Sequence, residues 1–166
     1  MTTPRLIWGS LSWRGRLHFL GQALRPRAWW RQALVRRYPD LFRYPGWDDP
    51  HQTLMAFGFA HGDGWARILW GLARDLRTVA HTTGIQIRVT QVKEKFGTLH
   101  VYCGIAPESP DAWKAVRAVV QRAEQVSART CEDCGQPGQL MWKDQSWYRT
   151  VCRRCAGTAY EPVATE

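Results

Sequence analysis

No stretch of the 166 residues approaches the run of about eighteen apolar positions that a membrane-spanning helix needs. A signal-peptide core is missing as well, because Gly9, Ser10, Arg14 and Arg16 interrupt the apolar start Leu6-Ile7-Trp8. A cytoplasmic protein is therefore expected. Internal repeats and low-complexity segments are missing too, which excludes solenoid architectures. His18, His51, His61, His81 and His100 are scattered, with no pair at ligand spacing on a helix or strand. The chain has no nucleophile elbow, and Gly62-Asp63-Gly64 is too short to be a phosphate-cradling glycine loop. Disorder is excluded by a 45% hydrophobic composition with ten tryptophans, enough for one compact domain and a small appendage.

Acidic residues are nearly missing from the first 45 positions. Asp40 stands there alone against Arg5, Arg14, Arg16, Arg25, Arg27, Arg31, Arg36, Arg37 and Arg43, with no lysine. That segment holds +8 of the chain's net charge of +9. Arginine in bulk suits phosphate or carboxylate recognition, because its planar fork donates two parallel hydrogen bonds and stacks on rings. The segment reads as two short helices, Arg14 to Leu24 stopped by Pro26, and Pro26 to Tyr38 stopped by Pro39. In the second, Trp29, Ala33 and Leu34 share a face apart from most of the arginines. Such a basic amphipathic helix fits a docked helix with solvated arginines, or an electrostatic footprint for nucleic acid. Attachment to an anionic membrane surface is a third account, ranked behind both.

At the other end the chain reads Cys131-Glu132-Asp133-Cys134, seventeen intervening residues, then Cys152-Arg153-Arg154-Cys155. Two C-x-x-C pairs at this separation present four thiolates to one tetrahedral Zn2+. Gly135 follows the first pair, where a knuckle needs a residue tolerant of positive φ. Leu140-Met141-Trp142 and Trp147 to Val151 read as two strands around the turn Lys143-Asp144-Gln145-Ser146, which makes the ensemble a zinc ribbon. Disulfides, a redox C-x-x-C or an iron-sulfur cluster are the competing readings. Four protein ligands leave no open coordination position, so the zinc is expected to be structural. Cys103 falls in a predicted strand and reads as a buried free thiol, in keeping with a reducing compartment.

Between these ends, residues 39–64 are rich in turn signals around one apolar piece, Leu54 to Ala60. Asp63 is placed to cap a helix whose apolar positions Trp65, Ile68, Leu69, Leu72, Leu76 and Val79 recur until Gly84. Ile85, Ile87 and Val89, then Leu99, Val101 and Cys103, alternate with polar residues and predict a β-hairpin over 85–103 that turns at Lys93 to Gly97. Ser109-Pro110 opens a helix to about Ser127 with Trp113, Val116, Val119, Val120, Ala123 and Val126 inward. The expected fold is α+β, a helix–hairpin–helix core at 46–128. A basic helical segment at 1–45 precedes it, and the zinc ribbon at 129–158 and a tail at 159–166 follow.

Gly62-Asp63-Gly64-Trp65, the run Gln91 to Leu99 containing Lys93-Glu94-Lys95-Phe96-Gly97, and the cysteine-bearing ending resemble a group of small uncharacterised bacterial and phage-encoded proteins. The resemblance spans roughly residues 38–155 and implies a shared fold and zinc site, but no reaction. This chain has His100 where arginine is expected in that pattern.

Three functions fit these residues. The leading one is a non-enzymatic binder that contacts nucleic acid without base specificity through Arg27, Arg31, Arg36, Arg37, Arg149, Arg153 and Arg154. In that reading Trp142, Trp147 and Tyr148 are available for stacking, unless they fill the ribbon's own core. The second is a protein-binding adaptor or inhibitor, phage-associated, since arginine and tryptophan are also the anchors of protein interfaces. The third is a metal-dependent nuclease built on Asp63 and Gln91-x-Lys93, which has glutamine where such sites use a carboxylate.

Overall fold

The computed structural model describes residues 29–163. The expected Arg14–Leu24 helix and Arg27 lie outside the described residues. In chain order the elements are α1 (Trp29–Arg37), α2 (Pro39–Phe42), β1 (Phe59–Ala60), α3 (Ala66–Thr83), β2 (Gln86–Lys95), β3 (Thr98–Ala106), α4 (Pro110–Ser127), β4 (Gln139–Lys143), β5 (Trp147–Val151), α5 (Arg153–Ala156) and β6 (Glu161–Pro162). Two three-stranded sheets result, ordered β1-β2-β3 and β5-β4-β6. The protein is a mixed α+β fold. Among the described residues no helix is long and apolar enough to cross a membrane.

The first sheet shows how a sequence phase break becomes structure. Ile87 and Val89 keep period two, but Val92 is out of phase with them, and the β2–β3 register shifts between Val89 and Gln91. The bulge at this point lets Ile87, Val89 and Val92 all be buried. β2 runs through Lys93, Glu94 and Lys95, so the reversal is confined to Phe96-Gly97 and is shorter than the expected turn. Of the short apolar piece in the 39–64 connector, Leu54–Phe57 forms a 3-10 turn and Phe59–Ala60 forms β1, which pairs parallel to β2 at Phe59 and Val92. Tyr44 anchors the rest of the connector, its hydroxyl reaching Thr53 Oγ1 at 2.9 Å and the Val89 carbonyl at 3.1 Å.

α4 starts as its sequence indicates, with Pro110 in the first turn and Ser109 Oγ accepting the Ala112 amide. Its inner face differs from expectation. Ala112, Val116, Val119 and Ala123 are buried, whereas Val126 is 50% exposed. Ser127 takes the inner place because its hydroxyl accepts the Leu99 amide at 2.8 Å, satisfying a donor on the open edge of β3.

The described part of the arginine-rich segment packs into this same core. Trp30, Leu34, Tyr38, Leu41 and Phe42 join Leu69, Leu72, Leu76, Ile87, Val89 and Val116 in one cluster. Trp29 lies outside it at 72% exposed, so the apolar face of α1 runs through Trp30 instead. A second, small cluster holds Cys131, Met141, Val151 and Ala156. The ribbon's core thus buries no tryptophan, and Trp147 is 61% exposed.

A half-buried polar cluster borders the larger core. Asp63 does not cap a helix by its side chain; the turn Asp63–Trp65 is 3-10, and Gly62 occupies its cap position. Asp63 Oδ1 instead accepts from Trp30 Nε1 and from Arg31 Nη2, both at 3.1 Å. Arg31 also donates to the carbonyls of Phe59 and His61, which stitches α1 to the β1 strand. Beside it, His61 Nδ1 donates to the Gly62 carbonyl at 2.6 Å, and its ring stacks on Trp65. Nε2 of His61 is buried without a partner. Burial lowers the imidazole pKa to about 4, against the opposing pull of the Gly62 carbonyl. The unfolded chain takes up a proton near the ordinary value of about 6.5, while the folded chain resists it. Stability should therefore be complete above that pH and fall by about 3 kcal/mol as pH drops toward 4. Urea unfolding across this range should show the slope, and His61→Phe should flatten it.

Candidate metal centre

The four cysteines come from two backbone devices. In the first, a tight turn is closed by Gly135 N donating to the Cys131 carbonyl at 2.9 Å and by Cys131 N donating to the Gln136 carbonyl at 2.7 Å. Gly135 has φ +76°, the left-handed conformation this knuckle requires. In the second, Cys152 opens α5 as its extended cap, and Cys155 follows within the helix. The antiparallel β4–β5 pair spans the distance between the two devices, with Gln139 opposite Val151 and Lys143 opposite Trp147.

All four Sγ atoms lie within 4.8 Å of one another, and they are the one such His/Cys/Asp/Glu group among the described residues. Cys134 and Cys152 Sγ are 3.7 Å apart. That matches the edge of about 3.8 Å expected for a tetrahedron of sulfurs about 2.3 Å from a central ion. The ionisation of the set is strained in the way a cation relieves. The Gln136 amide lowers the Cys134 thiol to about 7, whereas burial and the adjacent sulfurs push Cys155 up to about 12. Cys131 is also raised, chiefly by burial. Four thiols this close cannot all ionise without a positive ion between them. The residues present fit a bound metal ion. Cys103 stands apart on β3, its thiol raised by burial to about 12, so it is an unreactive core residue.

Beneath the knuckle, Glu132 is 4% exposed and bridges three parts of the chain. Its Oε1 accepts the Gly62 amide at 2.8 Å and its Oε2 accepts Arg149 Nε at 2.8 Å, while its carbonyl accepts the Gly64 amide at 2.7 Å. Arg149 completes a fork on Asp133 at 2.7 and 3.3 Å. Burial works against this charged guanidinium, but the bonds to Asp133 and Glu132 outweigh it and raise its pKa. Trp65 Nε1 donates to the Thr130 carbonyl at 2.8 Å, adding a third tie between α+β core and ribbon.

The seven arginines singled out by sequence divide accordingly. Arg31 and Arg149 spend their guanidinium groups on internal ion pairs with Asp63 and with Glu132 and Asp133. Arg36 and Arg37 are exposed at the end of α1. Arg153 and Arg154 are exposed on α5, and the Cys134 sulfur beside Arg154 raises its pKa. Arg27 lies outside the described residues. Glu132 escaped the sequence reading, although two acids between paired cysteines, with one arginine on the returning strand, were a signal for an ion pair under the site.

The glycines of Gly62-Asp63-Gly64 make the closest approach in this region. A Cβ on Gly64 would lie 2.5 Å from the Gly135 nitrogen and inside contact distance of the Cys131 carbonyl. One on Gly62 would lie 2.5 Å from the Glu132 carbonyl oxygen. Backbone on both sides leaves no flexible side chain to move away. Gly64→Ala should lower stability by about 3 kcal/mol and loosen metal retention, read by thermal unfolding and by the rate of metal transfer to a chelating dye.

Comparison of the chain with protein-family models, with curated proteins and with solved structures returns no match, so its own geometry carries the functional reading.

Proposed function

We propose that this chain is a zinc-ribbon protein that contacts nucleic acid through exposed arginines and without base specificity. The zinc is structural, because all four coordination positions are supplied by cysteine and none is left for substrate. The observation that carries the nucleic-acid reading is the distribution of positive charge that no carboxylate answers. Arg36, Arg37, Arg153 and Arg154 are exposed and have no carboxylate partner among the described residues. The sequence adds Arg27 and the further arginines before it. Phosphate is the anion that such groups bind in the plural, by direct charge and counterion release.

A second reading is favoured by one observation. Trp29 is 72% exposed beside the arginines of α1, and tryptophan with arginine is the usual anchor of a protein interface. On that reading the chain is a phage-associated adaptor or inhibitor. No observation favours the nuclease reading: Asp63 Oδ1 accepts from Trp30 and Arg31, and Asp63 belongs to no cluster of metal-ligating side chains among the described residues.

The test uses nuclease-treated protein loaded with zinc. One zinc per chain should be found by elemental analysis, and chelation should unfold the ribbon, whose metal binding is worth on the order of 10 kcal/mol in small zinc modules. Fluorescence anisotropy against short DNA and RNA should show binding that falls log-linearly with salt. The double change Arg36→Ala with Arg37→Ala should reduce the salt slope by about 2, one for each phosphate that is no longer neutralised. Negligible binding to all nucleic acids, with copurification of one defined protein, would move the assignment to the adaptor.

A further inference from the structure

Two exposed rings from different sheets meet at one cleft. Phe96, at the β2–β3 turn, is 69% exposed, and Trp147, at the start of β5, is 61% exposed. Both line a cleft of about 220 Å³ together with Glu94, Ser146 and Tyr148. The cleft exists because Gly97 is buried against the ribbon. A Cβ there would fall on Leu140, and the backbone of Arg149 and Thr150 lies 3.3 Å from the same point. That close approach seats the β2–β3 turn on the ribbon sheet.

Phe96 is out of place by local rules. Its φ is +51° and that of Gly97 is +81°, the pattern of a two-residue turn with both central residues left-handed. Asparagine, aspartate or glycine suit its position; a bulky aromatic side chain is rare there. The ring is not repaid by burial, since it projects into solvent. An aromatic group held in an unfavourable backbone conformation and left exposed points to a role outside the fold.

The surroundings indicate the ligand. Lys95 Nζ lies 5.5 Å from the Phe96 ring, and Lys143 pairs opposite Trp147 across β4–β5. Both lysines are exposed. Glu94 accepts the Gly97 amide at 2.6 Å and puts a carboxyl group in the cleft wall. An acidic wall repels phosphate, so the cleft suits an uncharged flat ring while the lysines beside it take the backbone charge. An unstacked nucleobase has that chemistry, and stacking on aromatic side chains with adjacent cations is how single strands are held.

We propose that Phe96 and Trp147 form a stacking site for a base of single-stranded nucleic acid, with Lys95 and Lys143 as its phosphate contacts. The inference rests on the nucleic-acid reading above and assigns it a strand form and a place. Double-stranded DNA keeps its bases stacked and meets only the arginines.

The experiment compares zinc-loaded wild type, Phe96→Asn, Trp147→Ala and Trp147→Phe. The probes are a fluorescein-labelled oligo-dT, longer than the roughly 4–16 nucleotides one small module covers, and a duplex of equal length. Phe96→Asn should keep or raise the thermal midpoint, since asparagine suits the turn, yet weaken oligo-dT binding roughly 5- to 150-fold. Trp147→Ala should weaken it similarly, Trp147→Phe should restore most of it, and duplex binding should be unchanged in all three. Wild-type affinity for oligo-dT in both Phe96→Asn and Trp147→Ala overturns the stacking site and leaves the arginine contacts standing. Loss of duplex and oligo-dT binding in equal measure overturns it also. Wild-type protein that binds neither probe overturns the nucleic-acid reading and this site with it, assigning the two rings to a protein interface.

Discussion

The structure depends on how closely one backbone turn approaches another. Gly62 and Gly64 lie on the carbonyls of Cys131 and Glu132 at distances that admit no Cβ on either glycine. Through that contact pass the Gly64 amide to the Glu132 carbonyl and the Gly62 amide to the Glu132 carboxylate. On one side of it lie Trp65, His61 and the Asp63 ion pair, and hence α1 and the sheet; on the other lies the first cysteine pair. The hydrophobic clusters of the core and of the ribbon are separate. This polar seam joins them by directional bonds satisfied on both sides, and the Gly97 turn adds a second contact where it rests on Leu140 and the β5 backbone.

The seam also settles the local charge. Four cysteine thiolates would carry net negative charge even around a divalent ion, and Glu132 and Asp133 add two more carboxylates within the first C-x-x-C turn. Arg149 answers both acids with three half-buried bonds, and Arg154 lies beside the Cys134 sulfur. Arginine serves here better than lysine because its fixed fork bonds two carboxylates at once. The same logic holds at Arg31, whose donors are divided among Asp63 and two carbonyls. Arginine in this chain therefore has two uses, internal clasp and free surface cation, and composition alone reports their sum.

That distinction marks where the sequence was legible. The cysteine spacing foretold a cluster because ligand geometry is written locally, in four residues and two turns. The α4 start was equally plain, since Ser109 and Pro110 act within one helical turn. Asp63 misled because a cap and a tertiary acceptor look alike in one dimension; its partners Trp30 and Arg31 lie 33 and 32 residues away. β1 was hidden because two residues carry no period, and only pairing with Val92 and Lys93 makes them a strand. The inward side of α4 was misjudged at its last turn, where hydrogen bonding to a strand edge prevailed over hydrophobicity and chose Ser127 before Val126.

The turns at the two sheet tips show the same interplay from the other direction. Phe96 at one, and Asp144 with Gln145 at the other, have φ between +51° and +53°, so both reversals use left-handed residues that are not glycine. Asp144 and Gln145 are polar and exposed, ordinary occupants of a solvent turn. Phe96 is the exception, next to Gly97, whose missing Cβ is what allows the turn to rest on Leu140 and the β5 backbone. A turn chosen for its local conformation alone would hold asparagine, aspartate or glycine at position 96. The chain instead places its smallest residue inward and a large ring outward, an arrangement that stability does not require and that a ligand at the cleft explains.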